Sequence, residues 1–539
     1  MRRGRRLDLR RARYRAREGR LHAIHLLDRG SRADAGAPER VQPDQSLQSR
    51  QDLPHAQIVR RGRTRRVPSA RDRRERSRPA ILSVRPIDGA ALDRCDEPGG
   101  LVQPAALDKL QSVVGAEHVL TGVKLSPYVV DGRTPDVAVR PGTVDEIREV
   151  MTLASDTGTP VMPWGGGTAS AVGSPPGWSG LVLELCRLDR MLEHEPGDLT
   201  VTVEAGATVA TLQAKLGAAQ QWLSLDPPDA ERATIGGVIA ANASGPRRHL
   251  YGTARDLLIG VTVITAHGAL VRGGGKVVKN VAGYDLPKLF VGSYGTLGVI
   301  AEVTLKLRPL PDDERLVAVT FDDLKNSALA ARALGSSDLI PNAVELLDAA
   351  AGRTIGLGGP VSLVVGFDGL TEQVEWQTTE LSRLAAGAGG RDARPLPRDT
   401  WGRLAAAARH AFDTPAAVAR FAVLPSQVAD TMEQGQSAAR VRGFRSAWSA
   451  HAGVGVVTAA LAAGGAEEDL TPLAAVVRDW REIAHGNGGY ATLEWAPLAL
   501  KAVIAVWDDI GAAARIMTRI KQQVDPKNIL NPGRFLGAA

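Results

Sequence analysis

The clearest periodic pattern is "TVDEIREVMTLASDTG", residues 143–158, where Val144, Ile147, Val150, Met151 and Ala154 recur on one helical face. Thr143 followed by Glu146 is a capping box, and Gly158 closes the pattern, so the spacing predicts a helix bounded at both ends. "PVMPW" then has strand length and feeds three consecutive glycines, Gly165–Gly167. "LTVTVEAGA" predicts a strand, and "TLQAKLGAAQQWL" predicts an amphipathic helix. "LLIGVTVITAHGALV" reads as a hairpin turning at His267-Gly268. In "GVIAEVTLKLRPLP", Val299, Ala301, Val303, Leu305 and Leu307 alternate with Ile300, Glu302, Thr304, Lys306 and Arg308. Strict alternation predicts a half-buried strand, ended by Pro309.

Strands and helices mixed in this way predict an α+β domain over residues 104–310. From 311 to 500 the chain becomes Ala-rich, with the helical stretches "NSALAARAL" and "RLAAAARHAF" and the apolar strands "VSLVVGF" and "VGVVTAAL". These predict a second α+β domain. The closing segment, 501–539, begins as an amphipathic helix through Ile516, Ile520 and Val524, breaks at Asp525-Pro526 and ends in an extended Asn-Pro-Gly turn.

Charge changes the picture at one end. Residues 1–80 of the 539 carry 24 Arg, no Lys and 9 Asp plus Glu, a balance of +15, whereas the remainder balances at −8. This Arg-only stretch has no sustained apolar period, which predicts a disordered extension over 1–90 or upstream sequence translated from a misplaced start. A nucleic-acid arm rests on this stretch alone and is set aside. A twin-arginine signal would need an apolar run after Arg2 and Arg3, and a mitochondrial presequence is opposed by Asp8, Glu18 and Asp28. No run approaches the ~20 apolar residues of a membrane span, so the expectation is a soluble, cytoplasmic protein, reaching the inner membrane, if at all, through partners. With only Cys95 and Cys186, neither a four-cysteine iron–sulfur site nor a disulfide framework can form.

Three stretches let backbone approach a ligand: Gly165-Gly166-Gly167-Thr168, "DPPDAERATIGGVIAANASGPRRHLYGTARD" at 226–256 and "KNVAGYDLPKLFVGSYGTLGVI" at 279–300. Consecutive glycines can aim successive N–H groups at one anion, and Thr168 adds a hydroxyl. Neither the dinucleotide G-x-G-x-x-G before a helix nor the Walker pattern is present at the first stretch. Any one such loop is equally an ordinary tight turn.

Together, in this order and with the terminal "IKQQVDPKNILNPGRF", these motifs resemble the vanillyl-alcohol oxidase/p-cresol methylhydroxylase flavoprotein superfamily. Within it, residues 104–539 are most similar to the glycolate oxidase FAD-binding subunits. The resemblance implies a PCMH-type FAD-binding domain of two α+β subdomains, a second α+β cap domain and a terminal segment returning to the flavin domain. It implies that Gly165, Gly166, Gly167, Thr168 and Ala169 wrap the FAD pyrophosphate through backbone N–H groups, with Pro163, Trp164 and Ile235 also among the cofactor-binding residues. It places Pro227, Thr234, Gly236, Gly237, Ser244, Gly245 and Gly252 along the isoalloxazine and ribityl portions, and the backbone of Val299 and Ile300 at the adenine. The first loop and residues 226–247 contain no His or Cys, and His249 and Cys186 match no attachment position, so FAD is expected to be held non-covalently.

Oxidising a 2-hydroxy acid needs a base for the hydroxyl proton, a cation for the carboxylate and a ring to receive the hydride. Larger relatives carry H-x-G-D-G-N-x-H and E-H-G, which supply metal ligands and the base. Here "HAGVGVVT" keeps His451, Gly453 and Gly455 but has Thr458 at the second histidine position, and "LEWAP" keeps Glu494 but has Trp495 next. One His and one carboxylate make a poor divalent site, so no metal is expected. His451 is either a general base or a relic held by local hydrogen bonds. Arg534 either binds the substrate carboxylate or fixes the terminal turn, with Asn531 near the flavin. Arg247 and Arg248 are expected to face solvent, and His410 to be an ordinary helix residue. The resemblance further implies partners: a larger FAD- and metal-bearing catalytic subunit and an iron–sulfur subunit, acting on a small 2-hydroxy acid. An FAD-loaded relay subunit without substrate chemistry and a stand-alone oxidoreductase remain alternatives.

Overall fold

The computed structural model describes residues 104–177, 179–276, 285–463 and 470–535. The Arg-rich stretch 1–90, Cys95 and the start of the third glycine-rich stretch (279–284) lie outside the described residues.

The helix Val144–Thr157 forms as its pattern predicts. Thr143 accepts a hydrogen bond from the Glu146 N–H at 3.1 Å, and Gly158 closes the last turn in the left-handed conformation, φ 68°. The Glu146 carboxylate accepts from the Gly142 N–H, one residue before the cap. Ile147, Val150, Met151 and Ala154 are buried against a four-stranded sheet, in the order Val119–Leu120, Val137–Val139, Leu181–Glu184, Val161–Trp164. Its last three strands run parallel.

A five-stranded antiparallel sheet follows, in the order Met191–Glu195, Thr200–Glu204, Val299–Lys306, Leu258–Ile264, Leu270–Gly274. The hairpin turns where it was expected, with Gly268 at φ 81°. Val299, Ala301, Val303 and Leu305 are buried while Lys306 is exposed; Ile300 is buried as well, because both faces of this central strand are covered near its start. Two expectations fail nearby. The helix Val209–Gly217 stops early, and Gln221–Trp222 instead pairs with Arg308–Pro309, so Pro309 sits on an edge pair rather than ending the chain's extended run. Trp222 Nε1 donates to the Pro309 carbonyl, which holds that pairing.

Residues 313–495 build an eight-stranded antiparallel sheet, in the order Arg391–Leu396, Asp313–Phe321, Val361–Gly369, Ala343–Asp348, Ser446–His451, Val456–Ala462, Pro415–Ala422, Tyr490–Trp495. One face buries Phe421, Trp448 and Trp480, mutually in ring contact, beneath the helices Leu324–Gly335, Val428–Val441 and Thr471–Gly486. On the other face Trp401, Leu404, Ala407 and Ala408 pack on Leu316, Ala343 and Val364. "RLAAAARHAF" is therefore no helix. Only Thr400–Leu404 is helical, and tight turns follow, with small Ala side chains letting the backbone lie against the sheet. His410 falls on these turns, exposed.

The helix Ala513–Val524 is present, but its apolar side is not buried, and Ile516 is 64% exposed. Beyond it, the buried Asp525 carboxylate accepts the N–H groups of Ile529 and Leu530. This folds residues 529–531 beside the strand Val161–Trp164: Val161 N–H donates to the Ile529 carbonyl, and Asn531 N–H to the Val161 carbonyl. The chain is thus an α+β fold whose last turn braces the strand that leads into the triple glycine.

Candidate functional site

The strand Val161–Trp164 delivers residues 165–169 to a cleft of about 890 Å3. The loop is polarised. Its carbonyls are turned to protein: Gly165 accepts from Cys186 Sγ, Gly166 from Arg232, and Gly167 from Ser170 Oγ at 2.9 Å. Among the described residues, the N–H groups of Gly165, Gly166, Gly167, Thr168 and Ala169 have no acceptor. Five neighbouring donors without partners make a site for an anion rich in acceptors. Glycine is demanded from behind as well. A Cβ on Gly166 would lie 1.7 Å from the Arg232 carbonyl oxygen, and one on Gly165 would lie 2.1 Å from Thr234 Oγ1.

The cleft walls bring together Pro163, Trp164, Gly165, Gly166, Gly167, Thr168, Ala169, Thr234, Gly236, Gly237, Ile300, Asn531 and Arg534. Thr234 caps the short helix Ile235–Ala241 by accepting from the Gly237 N–H. Ile235 packs into the hydrophobic core, Val299 is fully buried, and Pro227 is buried off the cleft. Gly245 is pressed on the Asp226 backbone, and Gly252, at φ 79°, faces Asp256. Tyr294 and Gly295, in the third glycine-rich stretch, also line the cleft. Both have positive φ, 50° and 67°. Asn531 donates Nδ2–H to the Tyr294 carbonyl, while its Oδ1 is buried without a partner.

Arg534 is almost wholly buried. It donates to the carbonyls of Ser170, Val172 and Ser174 and to Asp131, so its guanidinium is committed to the segment after the glycine loop.

A second pocket, about 540 Å3, adjoins the first. Ala240 and Ala241 line the cleft; Ala243 and Ser244, just after them, line the pocket with Arg248, Arg409, Arg420, His451 and Glu494. His451 Nδ1 lies 2.7 Å from Glu345 Oε1, on the neighbouring strand. With Nδ1–H donating to Glu345, Nε2 is the ring's free acceptor. Burial pushes the Glu345 carboxyl above its ordinary range, against the pull of His451 and Arg248. Burial works the same way on Glu494, but Arg409 and Arg420 prevail and hold its carboxyl below the usual range. Arg420 Nε is 3.3 Å from Glu494, and Arg409 bonds its other oxygen. Thr458 lies in the same wall. Among the described residues no three or more His, Cys, Asp or Glu side chains converge as a metal site.

The expectation that Arg247 and Arg248 face solvent is overturned. Arg247 is stacked 3.8 Å from the centroid of the Trp401 ring and bonded to Glu314, and Arg248 lines the pocket. Glu345, Arg409 and Arg420 are additions that no motif announced. Each comes from a separate strand or turn, and only the eight-stranded sheet assembles them.

The comparisons agree with this geometry. Residues 135–274 match the FAD binding domain, and residues 310–535 match the C-terminal domain of FAD linked oxidases. The glycolate oxidase subunit GlcD of Bacillus subtilis is 36% identical over 40% of this chain and 46% of its own length. The glycolate oxidase subunit GlcE of Escherichia coli is 39% identical over 31% of this chain and 47% of its own. The matched segments thus span about half the length of these curated relatives. A substrate-bound structure of p-cresol methylhydroxylase shares the fold, with a TM-score of 0.63, 16% identity, and coverage of 83% of this chain and 97% of that one. Among the described residues no helix is long and apolar enough to cross a membrane. With both domain matches in sequence order, the chain carries an FAD binding domain followed by the C-terminal domain of FAD linked oxidases, in the fold shared with p-cresol methylhydroxylase.

Proposed function

We propose that this chain holds FAD non-covalently in the glycine cleft and oxidises a 2-hydroxy acid in the adjoining pocket, as the flavin subunit of a glycolate dehydrogenase-type complex. The observation that carries the reading is His451, backed by Glu345 at 2.7 Å, in a pocket of three arginines that adjoins the cleft. The names of the two glycolate oxidase subunits supply the substrate class and the complex.

The residues present fit the cofactor. The five free N–H groups of 165–169 would take the diphosphate, and the orphaned Asn531 Oδ1 would take a ring donor. Bound FAD supplies a ring that accepts a hydride. His451 Nε2 takes the hydroxyl proton, and the Glu345 carboxylate stabilises the imidazolium so formed. Arg248 holds the substrate carboxylate, because the Arg534 donors are already engaged and Arg409 and Arg420 share Glu494. Arg534 and Asn531 act on the cofactor side, Arg534 by holding the loop in shape. Electrons leave through partner chains: a larger FAD- and metal-bearing subunit and an iron–sulfur subunit, since this chain has two cysteines.

A second reading, a flavin relay without substrate chemistry, is favoured by Glu494 being consumed by Arg409 and Arg420. Purified chain should be yellow, and anaerobic glycolate or D-lactate should bleach the flavin band. A colourless protein overturns the cofactor assignment. Flavin that dithionite reduces and no hydroxy acid bleaches supports the relay.

A further inference from the structure

The short helix Arg248–Tyr251 lies in the FAD binding half, yet both of its ends are tied to one pair of carboxylates in the C-terminal half. Glu314 and Asp368 stand directly opposite each other on the paired strands Asp313–Phe321 and Val361–Gly369. Like charges facing each other across a ladder repel, so this pair needs donors from elsewhere. Arg247, just before the helix, donates to Glu314 at 2.7 Å, and the Tyr251 hydroxyl, at its end, donates to Asp368 at 2.6 Å. Asn342 Nδ2 supplies Asp368 with a second donor. Rings and cations alternate along the two ties. Arg247 lies 3.8 Å from the Trp401 centroid and 5.1 Å from that of Trp222, Trp222 meets Tyr251 edge to face at 5.6 Å, and Arg308 lies 4.5 Å over Tyr251. A planar guanidinium held between rings is fixed in orientation as well as distance. A four-residue helix has no stability of its own, so what holds its ends decides where it sits. Arg248, which lines the second pocket, lies between the two ties.

Resting on the reading that Arg248 holds the substrate carboxylate, we propose that Arg247 and Tyr251 are positioning residues, which set where the Arg248 guanidinium stands by latching onto the Glu314–Asp368 pair. Neither is among the described residues that line the pocket, so each acts through Arg248. Loss of either tie frees one end of the helix. The cost falls on carboxylate binding and spares the flavin, because none of these residues is among the described lining of the glycine cleft. Lysine at 247 could pair with Glu314 but has no plane to stack on Trp401, so Arg247→Lys should keep only part of the effect.

The test uses the full-length flavin-loaded chain and oxamate, a carboxylate probe with no C–H bond to oxidise. Tyr251→Phe and Glu314→Gln each remove one tie and keep the side-chain shape. Each should carry the parental amount of flavin and bind oxamate about tenfold more weakly by calorimetry, as loss of one charge-assisted hydrogen bond does. In an Arg248→Met background, adding Tyr251→Phe should cost nothing further. The second-order rate at which anaerobic glycolate or D-lactate bleaches the flavin should follow the same pattern, and it carries the comparison where oxamate binds too weakly to measure. Parental affinity in both tie variants overturns the proposal, as does loss of flavin from either. A further tenfold loss on adding Tyr251→Phe to Arg248→Met also overturns it, because the tie would then act on the fold at large. If oxamate shows the expected pattern but no hydroxy acid bleaches a flavin that dithionite reduces, the oxidoreductase reading fails and the latch stands. If oxamate does not bind the unaltered chain and no hydroxy acid bleaches it, both fail.

Discussion

Lys501 Nζ lies 2.8 Å from the Asp131 carboxylate, a pair 370 residues apart in sequence and wholly buried on the lysine side. The same ammonium donates to the Ala171 carbonyl at 2.7 Å, and Arg534 reaches Asp131 from the chain's last turn. Three distant segments thus converge on residues 170–174, directly after the glycine loop. Burial pushes the Lys501 ammonium below its ordinary range, and the bond to Asp131 opposes that push.

Removing the ammonium leaves Asp131 with Arg534 alone and takes the donor from the Ala171 carbonyl, at a cost of about 1–3 kcal/mol. Lys501→Met should therefore lower the unfolding midpoint and reduce the flavin carried per chain. Thermal unfolding and the ratio of flavin to protein absorbance measure both. A variant as stable and as yellow as the parent would falsify the bracing role.

Gly166→Ala should abolish flavin binding, because its Cβ would meet a backbone oxygen at 1.7 Å, where no side chain can swing aside. Gly177, with nothing within 4 Å of its would-be Cβ, supplies the control. Gly177→Ala is expected to keep full flavin content, so the contrast isolates close packing from a general glycine effect.

His451→Ala should lower kcat by about 10²-fold or more at unchanged flavin content, as loss of a general base does. Glu345→Gln keeps the shape and removes the anion. Without it the imidazolium that forms as the proton is taken is less stabilised, so kcat should fall at unchanged flavin content. An unchanged kcat would leave Glu345 a packing residue only.

Asp226 is buried, and desolvation pushes its carboxyl up to about 6 despite the neighbouring Arg247. A carboxyl raised on folding binds its proton more tightly in the native state, so its contribution to stability is full below the ordinary carboxylate range. That contribution is lost as pH rises through about 6. Asp226→Asn should flatten the dependence of the unfolding midpoint on pH between 4 and 7. An unchanged slope in that window counts against the shift.

Much of the cofactor side was legible in the chain. Periodicity placed the helix Val144–Thr157, alternation placed the strand Val299–Lys306, and the order of the glycine motifs led to the cleft that Gly165 to Ala169 line. Local rules erred where packing overrode them. "RLAAAARHAF" has helix-forming alanines, yet sheet contact at Ala407 and Ala408 bends it into turns. Arg247 looked like a surface charge because nothing nearby in sequence announces Trp401, on which it stacks.

The sequence by itself determined the glycine loop, because φ preferences and backbone crowding act over a few residues and leave their mark in residue identity. Only the tertiary structure decided the second pocket. Arg248, Glu345, Arg409, Arg420 and His451 lie on five separate segments, and an arginine's role depends on which carboxylates stand within a few ångströms of it. That proximity is set by strand order in the eight-stranded sheet and by how the flavin half meets it, and no local pattern encodes either one.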